Sequence, residues 1–366
     1  GKDVPFPEEG YRGDYIGEIA REIKEREKDR YLGMDEDRAV SEIADLASRT
    51  ILEDIRSDLE EFGVRFDRWF SESKLLEAGR VRETLDDLEK RGFIFRLDGA
   101  VWFHSTQKGD DKDRVMVKSD GSLTYFASDV AYHRDKFERG FDKVVDIWGA
   151  DHHGYVPRMK AAVEALGRDR DDLTILLLQL VNLLRKGKPV AMSTRAGEFV
   201  TLREVREEVG RDAARFIFLT RKADSKLDFD LDLAKERSND NPVYYVQYAH
   251  ARICSILRNA AEKGVAIPLP GEVDPSLLVL PEERELIRSM AALPEVVETA
   301  ALAMEPHRVT IWLRDISTIL HSYYFRHRVL SEDPALTNAR IALVVAVRFL
   351  LSEALSLLGV SAPERM

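Results

Sequence analysis

Apolar positions along the chain repeat with two different periods, and the change from one to the other marks its organisation. From Asp14 to Tyr31 the residues Ile16, Ile19, Ala20 and Ile23 follow the i, i+3, i+4, i+7 spacing of an amphipathic helix. Asp37 to Phe62 repeats the pattern through Val40, Ile43, Ala44, Ala47, Ile51 and Leu52. After residue 67 the pattern shortens. A helical stretch, Val81 to Arg91, leads into strand-like pieces at Gly92 to Leu97, Ala100 to His104 and Val115 to Lys118, which predicts a small mixed insert with hairpins.

Between about 121 and 210 strands and helices alternate. Leu123 to Ala127, Lys143 to Trp148 and Leu173 to Leu178 read as strands, with helices near Asp129 to Phe137 and Val156 to Leu166 and a loop from Gly187 to Gly197. That rhythm predicts a parallel sheet covered on both faces, with ligands beyond the carboxyl ends of its strands. Beyond Gly210 the pattern is helical to the end. Asn241-Pro242 is an N-cap followed by proline in the first helical position, opening a helix to about Lys263. A Pro/Gly-rich link, Ile267 to Pro275, precedes further helices. The expected class is therefore α/β plus all-α, divided as 1–120 (helical and mixed insert), 121–210 (a Rossmann-like half-sheet) and 211–366 (a helical bundle), with the last boundary near 210–235.

Composition narrows this little: 44% hydrophobic and 33% charged residues are ordinary for a soluble protein. A single cysteine, Cys254, excludes an internal disulfide and a multi-cysteine zinc site and points to a reducing cytoplasm. No apolar run reaches the ~18–20 residues of a membrane span; Ile341 to Leu358 is interrupted by Arg348 and Glu353. Residue 1 is glycine and no signal-peptide pattern follows it, so the chain is expected to begin within a longer gene product. The net charge of −11 argues against a surface coated in nucleic acid. It leaves room for one basic face, and Arg308, Arg314, Arg326, Arg328, Arg340 and Arg348 are the candidates, with a solvated helical face as the plainer account.

Three stretches have the residue types for chemistry. Gly149-Ala-Asp-His-His-Gly-Tyr155 lies between a predicted strand and a helix, where a parallel sheet places a ligand. Its histidines suit hydrogen bonding to a nucleotide or substrate, although a capped strand end explains them too. Leu123 to Asp129 brings Tyr125 and Asp129 to the end of another strand. Two carboxylates meeting there, Asp129 and Asp151, repel unless a cation joins them, and a guanidinium does so with two-pronged hydrogen bonds. For Asp129 a helix N-cap is the alternative. The loop 187–197 carries Lys188 and Arg195, with Lys186 beside it, and glycines at its ends allow it to meet phosphates.

Seven stretches, in order, resemble arginyl-tRNA synthetase, a class I aminoacyl-tRNA synthetase. They are GYRGDYI (10–16), GDDKDRVMVKSDG (109–121), LTYFASDVAYH (123–133), GADHHGY (149–155), MSTRAGEFVTL (192–202), NPVYYVQYAHAR (241–252) and the ending GVSAPERM. The resemblance implies an arginine–tRNA ligase. ATP, with Mg²⁺, activates arginine to arginyl-adenylate, and the arginine passes to the terminal adenosine of its tRNA; no protein-bound metal and no membrane partner is implied, and a monomer is expected.

Carried over position by position, Tyr125, Asp129, Asp151 and His152 look like arginine contacts. Gly149, His153, Lys188, Ser193 and Arg195 look like ATP contacts, and Met192, Ser193 and Arg195 belong to the family's form of the KMSKS loop. Ala191 and Thr194 stand where the class pattern has lysines, which leaves the phosphate cation open among Arg195, Lys188 and Lys186. In the helical part Tyr244, Tyr248 and Arg252 share a face at spacings of four. Tyr323, Tyr324 and Arg328 follow, and Met366 is the terminal contact the resemblance implies for the anticodon. No His-x-Gly-His occurs, and this signature is expected upstream of Gly1, so the 366 residues alone are expected not to form the adenylate. Another class I synthetase, or a tRNA-binding paralogue without catalysis, is the alternative.

Overall fold

The computed structural model describes residues 13–190 and 200–366. In chain order, α1 (Asp14–Glu27) and α2 (Glu36–Glu61) pack on each other, and Asp35 caps α2 by accepting from the Arg38 amide at 3.2 Å. α3 (Glu72–Glu77) and α4 (Arg80–Lys90) precede an antiparallel meander of β1 (Ile94–Leu97), β2 (Ala100–Phe103) and β3 (Arg114–Val117), with a bulge at Val101/Trp102. α5 (Tyr125–Glu138), β4 (Val144–Gly149), α6 (Val156–Ala165) and β5 (Leu173–Leu178) form a parallel crossover, registered from Val144 on Leu173 to Gly149 on Leu178.

A second small sheet follows. β6 (Val181–Arg185) pairs antiparallel with β7 (Lys188–Pro189); past α7 (Leu202–Val209) and α8 (Arg211–Phe218), β8 (Leu227–Asp230) returns parallel to β6. The rest is helical: α9 (Leu231–Lys235), α10 (Pro242–Glu262), α11 (Pro281–Ala303), α12 (His307–Arg326) and α13 (Pro334–Leu357).

The chain divides into two compact units, residues 66–180 with 223–226 in one and the other described residues in the second. In the first, Leu88, Phe103, Met116, Phe126, Val130, Met159 and Leu173 form the buried core that fixes α5 against the meander and α6. In the second, Val246, Ile253, Leu286, Leu313, Ile316, Tyr323, Val344 and Leu351 make the core of the helical bundle. A satellite core of Leu183, Val205, Ala214 and Phe229 takes in Phe62 from the end of α2. Compactness thus groups α1 and α2 with the helical region, whereas the cuts at 120 and 210 follow changes of texture in the sequence.

Most predicted elements are present, and three departures matter. Leu123 to Ala127 is not a strand: Leu123 makes one bridge to Val117, and Thr124 then caps α5, so the helix starts at Tyr125. Residues 227–230 form a strand inside the stretch read as helical, because Leu227 and Phe229 alternate inward with Asp228 and Asp230 over too few residues to register against the helices around them. On α2 the predicted apolar stripe is largely exposed, with Val40 at 61% and Leu52 at 52%, and Ala39 is the buried position.

Candidate functional site

The first site is a cleft of about 950 Å³ between α5 and the end of β4. Thr124 sets one wall: its hydroxyl donates to the Val115 carbonyl at 2.9 Å, tying the cap of α5 to β3. From that start Tyr125, Asp129, Tyr132, His133 and Lys136 fall along one face of the helix at spacings of three, four and seven. The other wall is Val145, Asp146, Ile147, Trp148 and Gly149 of β4, continued by His152 and Tyr155 of the 3₁₀ turn Ala150–Tyr155.

Two carboxylates line this cleft, and their surroundings differ. Asp146 is buried, and both its oxygens are taken: Lys136 Nζ donates to Oδ1 at 2.7 Å and His133 Nε2 to Oδ2 at 2.7 Å. Burial pushes its carboxyl up, but the bonds from His133 and Lys136 outweigh that and hold it below the usual range. His133 is itself pinned, its Nδ1 lying 2.7 Å from the Asp129 carbonyl. Asp129 accepts one hydrogen bond, from the Tyr155 hydroxyl to Oδ2 at 2.8 Å, and among the described residues no donor reaches Oδ1. Burial pushes the Asp129 carboxyl above its ordinary value, against the Tyr155 bond and the nearby His133; Glu72 and Asp146 add to the rise. With Asp146 neutralised by its partners, Asp129 is the carboxylate in the cleft without a cationic hydrogen-bond partner, and a bound cation would relieve it.

Tyr125, Asp129, Gly149 and His152 are therefore brought together as the sequence leads one to expect, though Tyr125 and Asp129 stand on a helix and not at a strand end. Tyr125 is 85% exposed at the rim. Asp151 does not converge on Asp129. The 3₁₀ turn carries it outward, its side chain is exposed, and its neighbour is His152 at 3.7 Å. His153 also lies outside the cleft, its Nδ1 donating to the Ala150 carbonyl at 3.3 Å. Lys188 is exposed at the start of β7, while Met192, Ser193 and Arg195 lie outside the described residues.

The second site is a hollow of about 440 Å³ on the helical bundle, lined by Tyr248, Arg252, Arg258, Tyr324, Arg365 and Met366 with small neighbours. Asn241 caps α10 as predicted, accepting from the Val243 amide at 3.2 Å. Along the helix the Tyr244 and Tyr248 rings stack 5.9 Å apart. The Arg252 guanidinium lies 4.6 Å from both the Tyr248 and the Tyr324 ring centroids and donates to His321 Nδ1 at 2.9 Å. His321 Nε2 donates to the Tyr245 carbonyl at 3.2 Å, so the pair of contacts fits a neutral ring protonated on Nε2. Burial, with the Arg252 charge, holds this imidazole below its usual value against the pull of the Tyr245 carbonyl.

The chain end is fastened to the same helix. Gln247 donates to the Ser361 carbonyl and His250 Nδ1 to that of Pro363, both at 2.9 Å, and Arg258 donates to that of Glu364 at 3.2 Å. Met366 is thereby delivered to the hollow, half exposed.

Tyr323 corrects an expectation. It is fully buried, its hydroxyl donates to Glu283 at 3.1 Å, and no base can stack on it; of two adjacent helical residues only Tyr324 faces out. Arg328 lines a neighbouring hollow with Lys263, Arg326 and His327. Of the six arginines, Arg308, Arg326 and Arg340 are held in ion pairs with Glu305, Glu282 and Glu283.

Residues 20–232 match the family model "tRNA synthetases class I (R), catalytic domain", and residues 246–366 match "DALR anticodon binding domain". The whole chain is 56% identical to the arginine–tRNA ligase of Syntrophotalea carbinolica and 54% identical to that of Geobacter sp. strain M21, spanning 66% of the length of each. A solved structure described as an arginyl-tRNA synthetase from Campylobacter jejuni superposes with a TM-score of 0.89 at 36% identity, over 100% of this chain and 78% of that one.

The chain belongs to the arginyl-tRNA synthetase family.

Within that family's architecture, the class I catalytic domain precedes the helical DALR domain, as the α/β-then-all-α reading requires. Sequence reasoning missed Tyr132, His133, Lys136, Asp146, Trp148 and Tyr155 as parts of the cleft. Reading 123–138 as one helix would have found the first three, since they follow Asp129 at i+3, i+4 and i+7. Tyr155 closes the matched stretch GADHHGY; nothing in the spacing points from it to Asp129, 26 residues earlier.

Proposed function

We propose that this chain supplies the arginine-recognising and anticodon-recognising parts of an arginine–tRNA ligase, which joins arginine to the 3′ adenosine of its tRNA through an arginyl-adenylate. The observation that carries the reading is the charge balance of the cleft. Asp146 is neutralised by Lys136 and His133, while Asp129 keeps one oxygen without a donor among the described residues and is raised by burial. A guanidinium is the side chain whose planar fork and permanent charge match such a carboxylate, and the exposed Tyr125 ring at the rim gives it a face to lie on. His152 and Gly149 line the same cleft and suit the α-amino or carboxylate end of the amino acid. ATP, as its magnesium complex, is the second substrate, and Lys188, Ser193 and Arg195 are the proposed contacts to it. The hollow around Arg252, Tyr248, Tyr324 and Met366 would receive unpaired anticodon bases by stacking on aromatic and guanidinium planes.

The 366 residues contain no His-x-Gly-His, the class I signature for ATP. The expected result is arginine-dependent ATP–pyrophosphate exchange and tRNA arginylation by the full-length gene product, and no exchange by this chain alone. A full-length protein that binds tRNA yet activates no amino acid would leave the non-catalytic paralogue as the reading. Activation of a different amino acid would show another class I specificity.

A further inference from the structure

Tyr155 is the one side chain that bonds the Asp129 carboxylate among the described residues, and the fold holds it for that contact. Its ring is fixed on three sides. Trp148 meets it edge-on at 5.7 Å, Phe126 meets it edge-on at 6.0 Å, and the Arg158 guanidinium sits 4.6 Å from its centroid. It also ends the 3₁₀ turn that carries His152, so this hydrogen bond and the Phe126 ring contact join the turn to α5.

We propose that Tyr155 is a positioning residue for arginine: its hydroxyl holds Oδ2 of Asp129 and leaves Oδ1 for the guanidinium. This rests on the reading of Asp129 as the arginine carboxylate. A carboxylate one turn into a helix has several rotamers, and several of these point away from the cleft. A charge-assisted hydrogen bond from a ring locked on three sides selects one of them before substrate arrives, so less ordering remains to be done on binding. The hydroxyl stays a donor throughout, because burial and then the Asp129 charge push the Tyr155 phenol far above its ordinary value. The same bond works against the burial of Asp129 and keeps its carboxyl ionised to lower pH than burial alone would allow. A tyrosine that merely filled space would do none of this for arginine in particular.

The test is Tyr155→Phe in the full-length gene product, with Asp129→Asn as reference. The KM for arginine should rise by about tenfold, the scale of a hydrogen bond to a charged group, with kcat changed less than about threefold and the KM values for ATP and tRNA unchanged. The acid limb of kcat/KM for arginine should also move to higher pH, since the bond that favours the ionised carboxylate is gone. Removing the hydroxyl from the Asp129→Asn protein should cost little more. An arginine KM within twofold of the parent, beside a large rise in Asp129→Asn, would overturn the role of Tyr155 and leave the site reading intact. An unchanged KM in Asp129→Asn would overturn the site reading itself. Uniform loss of all parameters with an unmoved acid limb would reduce Tyr155 to packing. Should Tyr155→Phe not fold, Arg158→Met keeps the hydroxyl and loosens the ring; a rise of about threefold in the arginine KM supports the proposal, and no rise overturns it.

Discussion

The cleft of the first unit and the hollow on the helical bundle solve opposite electrostatic problems with similar parts. In the cleft a lysine and a histidine are spent on one carboxylate, Asp146, so that a second, Asp129, is left to attract a positive ligand. In the hollow no Asp or Glu is among the lining residues, and Arg252 is held by two aromatic rings, the Tyr248 hydroxyl and a neutral histidine. Aromatic faces and a neutral nitrogen orient a guanidinium without cancelling its charge, whereas a carboxylate would cancel it. The sign left over in each place is what a ligand would read: negative in the cleft, positive in the hollow.

The sharpest way to break that contrast is to remove the leftover sign. Asp129→Asn in the full-length protein should weaken arginine use far more than ATP use. Losing one partner of a desolvated charge pair costs ~2–5 kcal/mol, or roughly 30- to several-thousand-fold. Steady-state exchange kinetics against both substrates measure this, and a change below about threefold for arginine would make Asp129 a helix residue only.

Asp146→Asn tests the other half of the claim, that its partners are internal. Lys136 then loses its counter-charge and His133 a charged partner, and breaking such a pair costs about 3 kcal/mol where it is well buried; Lys136 is partly exposed, so about 2 kcal/mol is the expectation in urea unfolding. The pH dependence carries a definite sign. The folded-state carboxyl lies below its unfolded value, so this stabilisation is present above the unfolded pKa and is lost as pH falls through the lower folded one. An arginine KM that rose as steeply as in Asp129→Asn, at unchanged stability, would make Asp146 the ligand instead.

These two carboxylates also show what the sequence could and could not disclose. Asp129 was legible because it lies in a stretch with several motif residues close together, and the capped helix at Asn241-Pro242 was legible because capping is local. The crossover from Val144 to Leu178 followed from strand and helix lengths alone. Asp146 reads as one polar position in an apolar strand, and its partners are 10 and 13 residues away on another element, which no periodicity connects. The helical region misled for the same reason. Tyr323 and Tyr324 are chemically alike, and burial against Glu283 distinguishes them only once α11 and α12 are packed. Asp151 misled because a 3₁₀ turn rotates side chains differently from the open turn expected after a strand.

On the RNA side, Tyr324→Ala should weaken tRNA binding by the full-length protein by roughly 5- to 100-fold, from the ~1–3 kcal/mol of one base stacked on an aromatic ring. Arg252→Gln should weaken it too and should flatten the fall of affinity with salt, because a positive charge in the hollow is lost. Tyr323→Phe is the internal contrast: it removes a buried hydrogen bond to Glu283 and should lower stability while leaving tRNA affinity unchanged once the protein is folded. Equal effects of Tyr323→Phe and Tyr324→Ala on affinity would erase the distinction between core and surface drawn here.

The smallest effect expected is also the most specific to the hollow. His321 accepts from Arg252 through Nδ1, a contact that exists only while that nitrogen is unprotonated. Burial, and after it the charge of Arg252, lower the imidazole pKa in the folded state, so the folded protein binds this proton less readily than the unfolded chain. By linkage the contribution is present above the unfolded value of 6.5 and is lost as pH falls through the lower folded one. Within that window protonation places two cations side by side and takes the His321 acceptor from Arg252, leaving it the Tyr248 hydroxyl. The guanidinium then keeps its two rings but loses one hydrogen bond, worth ~1 kcal/mol, or about fivefold in tRNA affinity. Lower pH ordinarily strengthens RNA binding, because histidines elsewhere gain charge; a local weakening against that trend would therefore be diagnostic. His321→Gln, which can still accept from Arg252 through its amide oxygen, should flatten the acid response while holding affinity near the parent value at pH 7.5. If the parent and His321→Gln proteins gave superimposable curves of tRNA affinity from pH 7.5 to 5.5, the histidine would be a packing residue and the orientation of Arg252 would rest on the two tyrosine rings and the Tyr248 hydroxyl.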